Sequence, residues 1–318
     1  MQKQWTTSMM RADARFHLKG AWGPAIGVTV LMGLINYNYL VSGIIGAVMS
    51  VGLLGSSVAP LLNNRAFWQD PEYYMEHYAQ YFDPTDLVPM LAVFLLMFLL
   101  VLAASLFVQQ PLTVSAYNWF NRNRETPIAP NFGLFFNHFT SNYKNLMKGV
   151  LWKNLWIFLW SLIPMVGMGL TMGSAVLLTA ADQQMPGTEG RMSLFYIALA
   201  LLIVGYIVLI AGSVIVINRG LAYAQAYFIL ADNPGIGSKR ALQLSKKMMK
   251  GQKWHYIGLQ FSFIGWILLA SFATCGLGVM FLQPYILQTN SELYAKLRSN
   301  AVMDGHTTME ELGFIPMV

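Results

Sequence analysis

The sequence predicts an all-α, polytopic helical membrane protein of about six transmembrane helices, arranged as three hairpins, each preceded by a basic interfacial helix. Three observations predict it. Of the 318 residues 56% are hydrophobic and only 11% are charged, whereas a soluble domain carries about 25% charged residues. Apolar residues gather into runs at 21–62, 87–117, 149–180, 193–218, 254–272 and 275–290, on the scale of the roughly 20 residues that span a bilayer as helix. Among 20 Lys and Arg and 14 Asp and Glu residues, only Lys153 falls inside a run. It lies close enough to the start of that run to snorkel to the headgroups.

The first run needs division. As one straight helix, 21–62 would be about 63 Å long, twice the membrane core. One uncleaved span near 21–40 is therefore expected. The glycine-rich stretch 41–62 follows as an outer-leaflet or re-entrant element, or alternatively as two short crossings. Run 87–117 returns, 149–180 and 193–218 form the second hairpin, and 254–272 and 275–290 form the third. The whole is expected to be a single membrane domain, 1–318, of repeat-like units 1–120, 138–231 and 232–297, with a short tail 298–318. The one cysteine, Cys275, excludes an intramolecular disulfide.

The connecting segments alternate in sign. The N-terminus sets Lys3, Arg11, Arg15 and Lys19 against Asp13. Segment 63–86 is acidic, 118–148 basic and 181–192 acidic, and 219–253 holds seven basic residues against Asp232 alone. Lysine and arginine in short loops set orientation. The N-terminus, 118–148 and 219–253 are thus expected in the cytoplasm, with 63–86 and 181–192 outside. The tail is too mixed to orient.

A corner recurs before three of the runs. "HLKGAWGPAIGVTVL" begins at residue 17, "LMKGVLWKNLWIFL" at 146 and "MMKGQKWHYIGLQF" at 248. Each sets a lysine (Lys19, Lys148, Lys250) and a glycine (Gly20, Gly149, Gly251) just before a tryptophan (Trp22, Trp152, Trp254). Glycine tolerates the left-handed position that closes a helix, lysine there favours the helix dipole, and tryptophan sits at headgroup level. Each copy is expected to be an interfacial helix that stops, turns and enters the bilayer. An echo ends the return spans: Gln110–Pro111 in "QQPLTVSAYNWF" matches Gln283–Pro284 in "LQPYILQTNSELY".

The stretch 228–266, "FILADNPGIGSKRALQLSKKMMKGQKWHYIGLQFSFIGW", resembles the signature of a bacterial integral membrane family known as domain of unknown function 975. The likeness rests on Ala231-Asp232-Asn233-Pro234, Met249-Lys250-Gly251, Lys253-Trp254 and Ser262-Phe263-Ile264-Gly265-Trp266, with "GLGVMFLQPY" at 276–285. The resemblance implies a multi-span fold in the bacterial cytoplasmic membrane and supplies no catalytic residues. The acidic segment 63–86 looks like an insertion relative to that family.

Within this stretch Asp232 or Asn233 is expected to cap a helix, with Pro234 fixing the turn. Ala241, Leu244 and Met248 then recur at helical spacing, with Lys239, Arg240, Lys246, Lys247 and Lys250 on the other sides. That is the pattern of a helix lying in a lipid interface. With Lys253 and the other two corners it forms a positive rim, which anionic headgroups attract at about 1 kcal/mol per basic side chain.

No motif for catalysis or nucleotide binding is present, and His17, His77, His138, His255 and His306 are scattered. No cofactor, metal or nucleic acid is expected. The intramembrane polar groups are amides: Asn36, Asn38, Gln109, Gln110, Gln260 and Gln283. They are expected to hydrogen-bond between helices, while Gly169 and Gly173 predict close helix packing. The reading is a non-enzymatic protein binding anionic lipid or a membrane partner through its basic rim. The alternative is a transporter or exporter component for a neutral or lipid-like substrate, with the amides lining its path.

Overall fold

In a computed structural model the described residues are 5–35, 87–136, 142–182, 187–274 and 276–314. Asn36, Asn38, the element expected at 41–62, the acidic segment 63–86, Cys275 and His138 lie outside them. Every regular element among the described residues is helical. The α-helices run in the order α1 (Thr7–Leu18), α2 (Trp22–Ile35), α3 (Leu87–Ala104), α4 (Gln110–Glu125), α5 (Tyr143–Asp182), α6 (Glu189–Ala222), α7 (Ala226–Asp232), α8 (Ser238–Met248), α9 (Lys253–Ala273) and α10 (Gly278–Met303). A π-helical turn, Ser105–Gln109, joins α3 to α4.

Four helical stretches among the described residues are long and apolar enough to cross a membrane: Ala92–Glu125, Tyr143–Asp182, Glu189–Asp232 and Lys253–Ala273. At most 11% of each apolar window is buried in the protein. Side chains such as Phe158, Val176, Ile207 and Phe272 are left exposed, an arrangement that lipid tolerates and water does not.

The run 275–290 differs from expectation. It opens α10, which continues without a break to Met303. Its apolar part, Gly278 to Leu287, rises only about 15 Å, half of a hydrocarbon core of about 30 Å. From Gln288 onward α10 buries polar residues. The helix therefore ends as part of a packed protein core.

The chain divides into two compact units, Met1–Val28 with Val114–Val318, and Thr29–Thr113. In the smaller unit, α3 presents exposed apolar residues along Val93–Leu100. The core of the larger unit is built from one face of each short helix. Met10 of α1, Leu146 and Val150 at the start of α5, Phe228–Ala231 of α7, and Leu293 and Leu297 of α10 belong to one buried cluster.

The basic helix α8 joins the same cluster through Ala241, Leu244 and Met248. Its apolar face, expected to rest on lipid, is thus spent on protein, since the same amphipathic spacing serves either neighbour. The tail folds onto this core too, with Leu312 fully buried and Asn233 Nδ2 donating to the carbonyl of Glu311 at 3.0 Å.

Helices α5 and α6 form a long antiparallel hairpin held by close backbone approach. A Cβ at Gly212 would stand 2.7 Å from the Pro164 nitrogen, and one at Gly167 would stand 2.5 Å from the Leu209 nitrogen. Pro164 has no N–H to protect, so the facing helix can lie against it. At Gly169 and Gly173, the expected packing glycines, an added Cβ would meet nothing within 4 Å. They lie on the open side of α5.

Candidate functional site

Six of the rim lysines, Lys19, Lys148, Lys239, Lys246, Lys247 and Lys250, are exposed. The other two rim residues are engaged. Arg240 grips Glu311 in a bidentate pair (Nε to Oε1 2.5 Å, Nη2 to Oε2 2.9 Å) and donates to the His306 carbonyl at 2.8 Å. This draws the Glu311 carboxyl down to about 2. Lys253 donates to Asn218 Oδ1 at 2.5 Å. Lys153, expected to snorkel, lies over the Tyr227 ring at 3.2 Å from its centroid.

Two grooves share Trp152 and Lys239. The larger, about 820 Å³, sets Lys148, Lys239 and the first turn of α8 against Leu151 and Leu155. The smaller, about 350 Å³, adds Trp156, Trp160, Arg219 and Lys246. Spacing explains the tryptophans: positions 152, 156 and 160 fall one helical turn apart on α5. Cations stand over these rings, Lys239 5.6 Å from Trp152 and Arg219 4.4 Å from Trp160, a geometry that ring quadrupoles favour.

The Lys–Gly–Trp corners part company. At Gly20 (φ +88°) and Gly251 (φ +78°) a helix has ended and another begins within a few residues. Gly149 instead lies inside α5, where a Cβ would stand 2.6 Å from Leu230 Cδ2. Its role is close contact with α7 rather than a turn, so the expected stop at the middle copy does not occur. Trp152 lines the basic groove, Trp22 lines a different one, and Trp254 is 82% exposed. Of the amides, Gln260 donates to Asn290 Oδ1 at 2.7 Å, Gln110 sits in the first turn of α4, and Gln283 is exposed.

A second constellation went unread in the sequence: a polar junction where α4, α7 and α10 end together. Asp232, its side chain 4% exposed, takes Arg298 Nη1 at 2.8 Å, the Tyr294 hydroxyl at 2.7 Å and Asn121 Nδ2 at 2.8 Å. Arg298 reaches Glu125 with its other Nη at 2.8 Å, and Ser291 donates to Asn121 at 2.8 Å. Asn118 caps the Ala231 carbonyl at 2.6 Å.

One turn away, Glu292 is bound by Arg124 Nε at 2.8 Å and Gln288 Nε2 at 3.0 Å, with His17 Nδ1 of α1 at 2.8 Å. Burial and the charge of Asp232 raise the Tyr294 phenol well above its usual value. Each carboxylate here has a cationic partner, which a buried charge requires. The junction fastens helices and offers no free nucleophile. Among the described residues no three His, Cys, Asp or Glu side chains gather as a metal site.

The junction had a signal. Extended past Gln110–Pro111 and Gln283–Pro284, the echo aligns Asn118 with Ser291, Asn121 with Tyr294 and Glu125 with Arg298. All six lie in the junction.

The family described as "Protein of unknown function (DUF975)" matches residues 5–301. No curated protein and no solved structure matches the chain. With nearly its whole length covered, the chain belongs to that family of unknown function.

Proposed function

We propose that this is a non-enzymatic, multi-pass protein of the bacterial cytoplasmic membrane that binds anionic lipid through its basic rim. The proposed topology has three hairpins with the N-terminus in the cytoplasm, the third returning through α10, whose apolar part is only about 15 Å long. Charge alternation supports this orientation. So does the packing together of α1, the start of α5, α7, α8 and the tail, since the three segments read as cytoplasmic then share one core.

The observation that carries the lipid reading is the groove at Trp152. Lys148 and Lys239 supply positive charge, Trp152 an interfacial ring, and Leu151 and Leu155 an apolar floor. Headgroup, glycerol level and acyl chain meet complementary surfaces in that order. An acidic membrane-protein partner would meet the same charges without using the floor. The transport reading draws less support: Gln260 spends its amide on Asn290 inside one hairpin, and α5 packs on α6 through glycine.

Native mass spectrometry of the purified chain from micelles of mixed phosphatidylglycerol and phosphatidylcholine tests the reading. The Lys148→Gln/Lys239→Gln variant is expected to retain fewer phosphatidylglycerol molecules than wild type. A Lys19→Gln/Lys250→Gln variant, outside the groove, should retain nearly as many. Equal retention by all three proteins overturns the reading.

A further inference from the structure

Arginine pairing in this protein is uneven. Arg122, Arg124, Arg191, Arg240 and Arg298 each have a carboxylate within ion-pair reach. Arg11 and Arg15 of α1 have none among the described residues. Arg11 gives one Nη to the Ser262 carbonyl of α9 and stands 4.8 Å over the Phe263 ring, while its Nε is buried without an acceptor. A guanidinium held this way, beside an apolar helix and without a counter-ion among the described residues, is a setting that favours an anion.

Both arginines line a groove of about 650 Å³ within the larger unit, which shares no lining residue with the one at Trp152. Trp22 and Tyr285 line it too, and the Tyr285 hydroxyl lies 3.4 Å from the Arg11 carbonyl oxygen. Its wall is apolar, from Trp266 and Ala273 of α9 to Phe281 and Leu282 of α10. The outer faces of this hairpin are themselves apolar and open, Phe272 at 83% exposed. Charge at one end and an apolar wall along the rest describe an amphiphile with an anionic head.

We propose that this groove is a site for one anionic phospholipid, its phosphodiester on Arg11 and Arg15 and an acyl chain along the α9–α10 wall. Arginine suits the head because its planar fork meets phosphate oxygens two at a time. The inference rests on the reading of a lipid-embedded protein, though not on the Trp152 groove.

Native mass spectrometry of the full chain with phosphatidylglycerol in phosphatidylcholine micelles separates the two sites. Arg11→Gln/Arg15→Gln is expected to lower occupancy of the most tightly held phosphatidylglycerol by roughly tenfold or more. Lys148→Gln/Lys239→Gln should leave that molecule in place. Because Arg11 also holds Ser262, Ala273→Trp serves as a second variant that fills the wall and spares both arginines, with the same loss expected.

Undiminished occupancy in both groove variants overturns the proposal. Displacement of the lipid by millimolar inorganic phosphate would make this a free-phosphate site and overturns it too. Loss in the lysine variant alone overturns this site and leaves the Trp152 groove standing, whereas no preference for phosphatidylglycerol in wild type sinks both.

Discussion

Asp232 shows how far one side chain departs from its sequence neighbourhood. It is the lone acid in a basic segment, and it or Asn233 is expected to cap a helix. In the fold Asn233 takes the capping role, accepting from Gly235 N at 2.8 Å, and Asp232 turns inward to Arg298. Removing one member of a buried pair costs about 3–5 kcal/mol. Asp232→Asn is therefore expected to lower the melting temperature in detergent well beyond any single rim-lysine variant, and a melt within 1–2 °C (roughly 0.5 kcal/mol) would contradict the junction.

Glu311 allows a pH prediction at the same scale. Its folded value of about 2 lies below the usual glutamate value of about 4.3. Its stabilisation is thus complete above about pH 4.3 and is lost as pH falls toward about 2. With both side chains about a third exposed, the pair with Arg240 contributes about 1 kcal/mol or less. Amide protection of residues 306–312, corrected for the intrinsic pH dependence of exchange, should fall as pH drops across that window in wild type, with no such step in Glu311→Gln.

Helices repeat the lesson with pattern in place of charge. The all-helical class and the long apolar stretches were legible because exclusion of charge from a helix of membrane length has few other causes. The neighbour of an amphipathic face was not, as α8 illustrates by resting Leu244 and Met248 on protein. Glycines were equally ambiguous: spacing favoured Gly169 and Gly173, and contact selected Gly167, Gly205 and Gly212. Gly212→Leu or Gly167→Leu should destabilise the α5–α6 hairpin by about 1–3 kcal/mol through overpacking. Gly169→Leu and Gly173→Leu should be nearly neutral in the same thermal-shift assay. A common response from all four would dissolve the distinction.

For the whole molecule, the proposed orientation predicts a labelling pattern on a Cys275→Ala background. A membrane-impermeant thiol reagent applied to intact cells should reach Met75→Cys and miss Gln243→Cys. Met309→Cys should behave as Gln243→Cys does, because the tail is pinned beside α8 by Glu311 and Leu312. The reverse pattern would invert the topology, and a split between 243 and 309 would undo the core that joins them. The side of the tail was illegible from its mixed charges, and its packing beside α8 ties it to the side proposed for that helix. The polar junction was hidden for a related reason: asparagines and glutamates at helix ends read as solvated until three distant ends converge on them.

That convergence also has a place in time. Translation makes Glu125 and Asp232 well before Arg298, the cation that lies 2.8 Å from each. Until the last helix arrives, Asp232 waits for a cation still unsynthesised, and Glu125 has only Arg122, 3.9 Å away on its own helix. A polypeptide stopped short of residue 298 is therefore electrically unfinished, and its own unpaired charge distinguishes it from the completed product.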